Sequence, residues 1–534
     1  MYLLGIDIGT SGTKTVLFDT AGNPIASYTG EYPLYQPKNG YAEQEPLDWW
    51  NATVDGIKAV LGKSGADPCD IAGIGLSGQM HGLVMLDKDG KPLRKSIIWC
   101  DQRTAAECEE ITSAVGTQRL VEITANPALT GFTASKILWV RNNEPEIYEK
   151  CKTILLPKDY IRFMLTGERA TEVSDASGMQ LLDVPNRRWS EEVLDKLSIE
   201  KSLLGKVYES PEITGQVTKF SAELTGLKEG TPVAGGAGDN AAAAVGTGVV
   251  RDGRGFTTIG TSGVVFAHTD RLSIDKKGRV HTFCAAVPGT WHVMGVTQGA
   301  GLSLKWFKDN FCGGELKEAE KQGVDVYYLL DKEAGKVPVG SNRLIYLPYL
   351  MGERTPHLDA NARGAFFGLS AIHTKYDMLR AVMEGVSFSL KDCLNVLIGI
   401  GAVPNTNSAA KRSDCEYSQE SPNPYPLNPK PFEMLACGGG GSSALWRQML
   451  SDIFGIDIKT VKSKEGPALG VALLAGVGAG IYKSVPEACD SVIAYSERQL
   501  PNNENQKIYE KYYDLYKKLY PALKLGFSEL ANLP

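Results

Sequence analysis

Short apolar runs alternate with turn signals from the first residues. In "LLGIDIGTSGTKTVLFDTAGNPIASY" the runs are separated by GTSG and TAGNP, which predicts strand, turn, strand, turn, strand. The period then changes. Trp50, Val54, Ile57, Val60 and Leu61 recur at helical steps in "LDWWNATVDGIKAVLGK". A strand, "IAGIGLSGQ", follows, and "GLVMLDKDGKPLRKSIIW" reads as another hairpin about a DKDG turn. The second half shows the same alternation, with "KYDMLRAVMEGVSFSLKDCLNVLIGI" as a long helix. In "YEKYYDLYKKLYPALKLGFSEL" tyrosines and leucines recur at three- and four-residue steps, an amphipathic helix with a packing face. Residues 403–431, rich in Pro, Asn and Ser, interrupt the pattern and predict a flexible loop.

One pattern occurs twice. "IGTSG" spans Ile8–Gly12 and again Ile259–Gly263, each time between β-rich apolar segments. Two copies half a chain apart suggest two related lobes, each presenting a glycine hairpin to one shared ligand. A boundary at "VVRDGRG" divides them into 1–249 and 250–534.

Composition narrows the classes. At 534 residues the chain exceeds one ordinary core, and 43% hydrophobic with 22% charged residues is a soluble globular balance. A net charge of −6 gives no reason to expect nucleic acid or an anionic membrane as partner. No apolar run reaches membrane-spanning length, and the start carries no basic segment or cleavage site, so a cytoplasmic protein is expected. The ten cysteines form no CxxC pair, which favours reduced thiols over a zinc site.

Two nucleotide-loop look-alikes fail on context. "GIGLSG" matches GxGxxG but runs into strand-like sequence rather than a helix, and "GIKAVLGKS" lies on the predicted helix with the wrong glycine spacing. Other segments fit ligands better. Asp7 stands just before the first glycine turn, whose amides and Thr10, Ser11 and Thr13 hydroxyls can cradle phosphate with Mg²⁺ between. "LACGGGGSSALWRQMLSDIFG" runs from a strand through Gly438–Gly441 into a helix, room for a nucleotide against bare backbone. "GGAGDNAAAAVGTG" sets Asp239 and Asn240 among tiny residues, where a carboxylate is costly unless a ligand compensates it. "SGQMHG" offers Met80 and His81 as a polar-ligand wall or as plain structure. "IIWCDQRT" offers Asp101 and Arg103 as sugar-hydroxyl ligands or a surface ion pair.

Together these segments resemble the FGGY family of carbohydrate kinases, through "DIGTSGTK", "GFTASKILWVRNNEP", "GGAGDN", "IGTSG", "GERTP", "ARGAFFGLSAIHTKYDMLRAVMEGVSFSL" and "GGGGSSALWRQMLSDIFG". The resemblance covers nearly the whole chain. It implies an α/β fold of two actin-like, ribonuclease-H-like ATPase lobes with ATP and sugar in the cleft between them. "LSGQMHGLVMLD" with "IIWCDQRT" is most similar to the members acting on D-xylulose; glycerol kinases carry Arg–Glu where this chain has Met80–His81.

By motif, the resemblance implies Asp239 as general base for the sugar's terminal (5-) hydroxyl, with Asn240, Met80 and His81 contacting the sugar. It implies Asp7 as Mg²⁺ ligand, and Thr10, Ser11, Thr13, Lys14, Gly260 and Thr261 near the phosphates. Gly301, Gly439, Gly440 and Ser443 would surround the nucleoside. The small residues around Asp239 read as room for sugar and for lobe closure. Partners are a small sugar, no nucleic acid and no membrane, with a homodimer as the candidate assembly. The alternatives are another substrate (L-ribulose, D-ribulose, glycerol or gluconate) or a non-catalytic ATP-binding relative of actin and chaperones.

Overall fold

Two sheets of one design carry the molecule. In the first, Pro24–Glu31, Gly12–Asp19 and Tyr2–Ile8 form an antiparallel meander; Ile71–Gly78 and then Pro232–Ala234 extend it in parallel. In the second, Trp291–Thr297, Gly263–Thr269 and Arg254–Ile259 form the meander, and Glu433–Cys437 and Ile458–Lys459 extend it in parallel. Each lobe adds one antiparallel edge strand, Ile213–Gln216 and His281–Cys284. This is the duplicated ribonuclease-H-like α/β arrangement of the actin-like ATPases. The computed structural model describes residues 1–405, 432–463, 465–496 and 498–533, so most of the loop expected at 403–431 lies outside the described residues.

The elements follow from local sequence. Tyr2–Ile8 is apolar on both faces because helices cover both sides of its sheet. The helix Pro46–Ser64 starts on proline, buries Trp49, Trp50, Val54, Ile57 and Val60, and stops at Gly65, whose φ of 64° is left-handed. The helix Lys375–Gly399 opens with a Thr374–Asp377 capping box. The long helix Asn503–Ala531 lays Tyr509, Tyr513, Tyr516 and Tyr520 into the second lobe, where their hydroxyls meet Glu384, Asp392, Tyr349 and Asp359. Packing is its role, as the spacing indicates.

One expectation is extended and a second changes. In the segment expected as a hairpin, the Asp87–Gly90 turn closes with Asp87 N donating to Lys91 O at 3.0 Å. The two arms bridge antiparallel at Leu83–Ile97 and Leu86–Pro92, with Leu93 N donating to Met85 O at 2.9 Å. Their other edges pair with Thr153–Leu155 (Val84–Leu86) and Glu43–Gln44 (Ser96–Ile97). The hairpin is short because "KDGKPLRK" is too polar for a longer buried ladder, whereas Thr153–Leu155 offers Val84–Leu86 a buried apolar partner.

The second concerns the small residues after Asp239. They form the helix Asp239–Gly246, and they serve close helix packing rather than an open space. The helix Gly466–Gly478 lies against them. A Cβ on Gly246 would stand 1.8 Å from Gly466 O, and one on Gly470 would stand 2.0 Å from Ala242 O. The other side of the same helix presses on the first sheet, where a Cβ on Gly5 or Gly75 would fall 2.0 or 1.9 Å from its carbonyls. Residues 466–492 thus complete the first lobe's core, although they lie in the span 250–534 expected for the second.

Candidate active site

Both "IGTSG" copies are hairpin turns at the inner ends of equivalent strands. Gly9 N donates to Gly12 O at 3.0 Å in the first, and Gly260 N to Ser262 O at 3.0 Å in the second. Around the first, Gln79 ties the turn to the neighbouring strand by donating from its backbone to Ile8 O at 2.8 Å and from Nε2 to Gly9 O at 3.2 Å. Gln44 Nε2 reaches Thr10 O at 2.7 Å. Ser11 is exposed, and Thr10 Oγ1 accepts from the half-exposed Trp99 indole at 3.0 Å. Thr13 is wholly buried beneath Tyr32. Lys14 pairs with Glu465 at 2.6 Å.

Asp7 sits at the end of Tyr2–Ile8, across the ladder from Lys14. Its Oδ1 is buried with no hydrogen-bond partner among the described residues. Burial raises the carboxyl's pKa against the lowering effects of Ser77 and Lys14. An orphaned hard oxygen beside a glycine hairpin suits a divalent cation that keeps most of its waters, as Mg²⁺ does.

Asp239 is the first residue of its helix, set there by Ala237–Gly238 pairing with Ser77–Gly78. Asn240 donates to Oδ1 twice, from N at 2.7 Å and from Nδ2 at 2.9 Å. Oδ2 accepts no hydrogen bond among the described residues. One oxygen is therefore fixed and the other is available. Burial, aided by the nearby charge of Asp7, pushes this carboxyl up to about 6. That value keeps it mostly ionised at neutral pH yet more basic than an exposed aspartate, which suits a general base.

His81 adopts a left-handed φ of 70°. Its Nδ1 lies 2.8 Å from Gly178 O, and its ring packs at 4.8 Å on Phe132 and 6.2 Å on Phe283, the latter from the second lobe. Burial, with the charge of Lys136, pushes it down to about 3, so the ring is neutral. Met80 is buried against Gly178 and Gly238, behind the Asp239 strand.

The nucleoside-side residues converge. Gly260, Thr261, Gly301, Gly439, Gly440 and Ser443 all line one cavity of about 1010 Å³, within the range of small-molecule sites. Gly301 N donates to Gly260 O at 2.7 Å, tying a helix start to the second hairpin. A Cβ on Gly440 would meet Ile259 at 2.6 Å, whereas Gly439 faces open space. Ser443 caps the next helix by accepting from Trp446 N at 3.0 Å.

Some residues were not legible beforehand. Lys136, inside "GFTASKILW", is wholly buried and donates to His81 O at 2.9 Å and Gly131 O at 2.7 Å, which holds the His81 backbone in its unusual turn. Burial pushes Lys136 down to about 7. Arg354 comes from the second lobe, and its guanidinium makes no hydrogen bond or ion pair among the described residues. Its charge acts on both His81 and His281. Asp101 and Arg103 are not a surface pair. They form a buried pair at 2.7 Å, extended to Glu43 at 2.8 Å, with Arg103 over the Tyr41 ring at 3.8 Å. Their role is to fix the 41–44 segment that carries Gln44.

The chain matches the model of the FGGY family of carbohydrate kinases in both parts, the N-terminal domain over residues 2–246 and the C-terminal domain over 255–479. The chain belongs to the FGGY carbohydrate kinases. It is an ATP-dependent sugar kinase, and ATP with Mg²⁺ goes with that membership. This FGGY kinase is 37% identical to the xylulose kinase of Bacillus subtilis (strain 168) over 523 residues, 98% of this chain and 97% of that protein. Among solved structures, the ligand-bound xylulose kinase from Lactobacillus acidophilus superposes with a TM-score of 0.86 at 29% identity, covering 99% of each chain. The gluconate kinase from the same organism gives 0.87 at 28%, again over 99% of each. The backbone therefore does not separate these two kinds of relative. No helix among the described residues is long and apolar enough to cross a membrane.

Proposed function

We propose that this kinase transfers the γ-phosphate of ATP to the 5-hydroxyl of D-xylulose, giving D-xylulose 5-phosphate and ADP. The observation that carries the reading is the Asp239 carboxylate, with one oxygen tied by Asn240 and the other free, beside Asp7 and the first glycine hairpin. The choice of sugar follows the xylulose kinase relatives and the Met80–His81 pair.

In this reading Asp239 Oδ2 accepts the proton of the attacking hydroxyl, and Asn240 keeps the carboxylate aimed. His81, neutral, contacts the sugar hydroxyls, while Met80 backs the wall. Asp7 holds Mg²⁺, which when bound supplies charge neutralisation at the phosphates. Thr10, Ser11, Lys14, Gly260 and Thr261 approach the phosphates, with Thr13 supporting the first turn from below. Gly301, Gly439, Gly440 and Ser443 surround the nucleoside. Lobe closure excludes water, which would otherwise compete as acceptor. A cytoplasmic homodimer, lobes dividing near residue 250, completes the proposal; light scattering against the 57.7 kDa chain mass tests the assembly.

One observation favours a second sugar. An unpaired guanidinium near His81 suits a carboxylate, which D-xylulose lacks and gluconate carries. ADP release measured across D-xylulose, L-ribulose, D-ribulose, glycerol and gluconate decides between them. Highest kcat/KM for D-xylulose supports the main reading. A preference for gluconate transfers the assignment to the acid, and turnover with none of the five overturns both.

A further inference from the structure

Behind Asp239 lies a cluster of five charges that the transfer chemistry leaves unused. Lys158 Nζ reaches Asp159 Oδ1 at 2.8 Å, Asp175 Oδ2 at 3.2 Å and Glu172 Oε1 at 3.3 Å, and Arg162 pairs with Asp159. All five side chains are at most 1% exposed. Two cations face three carboxylates. Burial, reinforced by Asp159 and Glu172 against the pull of Lys158, raises the Asp175 carboxyl well above the ordinary carboxylate range. Such a cluster adds little net stability over apolar packing. It does fix the direction of every hydrogen bond it sends out.

One of those bonds ends on the backbone just before Asp239, and a second reaches it through Ser174. Arg162 Nη1 donates to Gly235 O at 2.7 Å. Ser174 Oγ donates to Glu172 Oε1 at 2.8 Å and accepts from Gly238 N at 3.1 Å. Glu172 is itself immobilised by Ser174 N, Asp175 N and the Ser210 hydroxyl, each at 2.8 or 2.9 Å. Gly78, whose strand neighbours that of Asp7, abuts the other side of the cluster: a Cβ there would lie 3.1 Å from Lys158 Cβ. One rigid polar body therefore touches the strand next to Asp7 and the peptide that precedes Asp239.

We propose that Ser174, backed by Glu172 and Arg162, is a positioning residue for phosphoryl transfer, fixing the Gly238 peptide and with it the direction of the Asp239 carboxylate. It acts through Gly238 and not by contact with either substrate. The proposal rests on the reading of Asp239 as the base.

Ser174→Ala tests it on the full-length enzyme, since this change removes one hydroxyl and keeps all five charges. Arg162→Gln would leave carboxylates buried without a partner and unfold the region. Turnover is measured with whichever sugar gives the highest kcat, per molecule able to bind Mg-ADP by calorimetric titration. The expected result is a fall in kcat of about tenfold or more, the scale of a displaced catalytic group, with both KM values within about twofold. In an Asp239→Asn background the same change has no further effect, because the group it positions is gone. A kcat within about twofold of the parent overturns the proposal, as does an equal loss in both backgrounds. Where Asp239→Asn has no measurable turnover, the kcat-against-KM split decides alone. An unaffected Ser174→Ala beside an inactive Asp239→Asn defeats the positioning role only; a fully active Asp239→Asn defeats the base and this proposal together.

Discussion

Replacing Asp239 with asparagine separates a catalytic effect from a stability effect that the geometry ties together. The folded chain holds this carboxyl's proton more tightly than the unfolded chain does, about 6 against a usual 3.8. Ionisation therefore costs the fold nothing below about pH 4 and its full amount above about pH 6. At 1.36 kcal/mol per decade that amount is about 3 kcal/mol, reduced to about 2 by the group's partial exposure. Asparagine cannot ionise, and its side-chain oxygen can still accept from Asn240. The variant should therefore be more stable than its parent by about 2 kcal/mol at pH 8 and by about half that at pH 5. Scanning calorimetry of the ligand-free protein at both pH values reads the difference. Turnover should fall by about 10²–10⁴, the usual contribution of a general base. The parent's kcat/KM should itself decline below about pH 6 as Asp239 takes up its proton. A variant that turns over within tenfold of its parent removes the base. One that melts below its parent at pH 8 removes the burial argument.

Four further outcomes follow from single contacts. Asp7→Asn should raise the Mg²⁺ concentration for half-maximal activity about tenfold or more, read by metal titration of ADP release. It should also raise the melting temperature of the ligand-free protein at pH 8, since burial raises this carboxyl's pKa too. Gly440→Ala drives a methyl into Ile259 at the second hairpin, so KM for ATP should rise several-fold with KM for the sugar unchanged. Arg354→Gln should raise KM for the sugar and leave KM for ATP within about twofold; the reverse pattern would remove Arg354 from the sugar side. Gly470→Ala places a methyl 2.0 Å from Ala242 O, so it should cost about 3 kcal/mol or more and show as insolubility or a depressed melting temperature.

What could be read from sequence was what is local. A glycine hairpin is written in five consecutive residues, so both "IGTSG" turns and the strands around them were visible, as was the four-glycine corner before Ser443. The rest depends on residues that meet only after folding. Nothing near "KDYIR" announces that Lys158 and Arg162 will meet Glu172 and Asp175 beneath Gly238. Lys136 was inside a recognised motif, yet its use, holding a strained His81 backbone, needs the 55-residue separation to close. For Asp101 and Arg103 the sequence leaves the choice open, because their burial comes from Tyr41 and Trp139 in distant segments. The alanines after Asp239 read as space because their packing neighbour, Gly466–Gly478, stands more than two hundred positions downstream.

That late helix has a consequence for how the molecule is made. Leu3, Val16, Phe18 and Ala237 share a core with Ala468–Ala475 and Cys489, so the first sheet lacks its cover until residues several hundred positions downstream have been made. At about 5–20 residues per second the wait is on the order of tens of seconds. During that interval the first sheet offers one bare apolar face to chaperones and to other nascent chains. Truncation before residue 466 should therefore give an aggregating fragment rather than a shorter enzyme, and splitting the gene between the lobes should yield two pieces that fold only when expressed together.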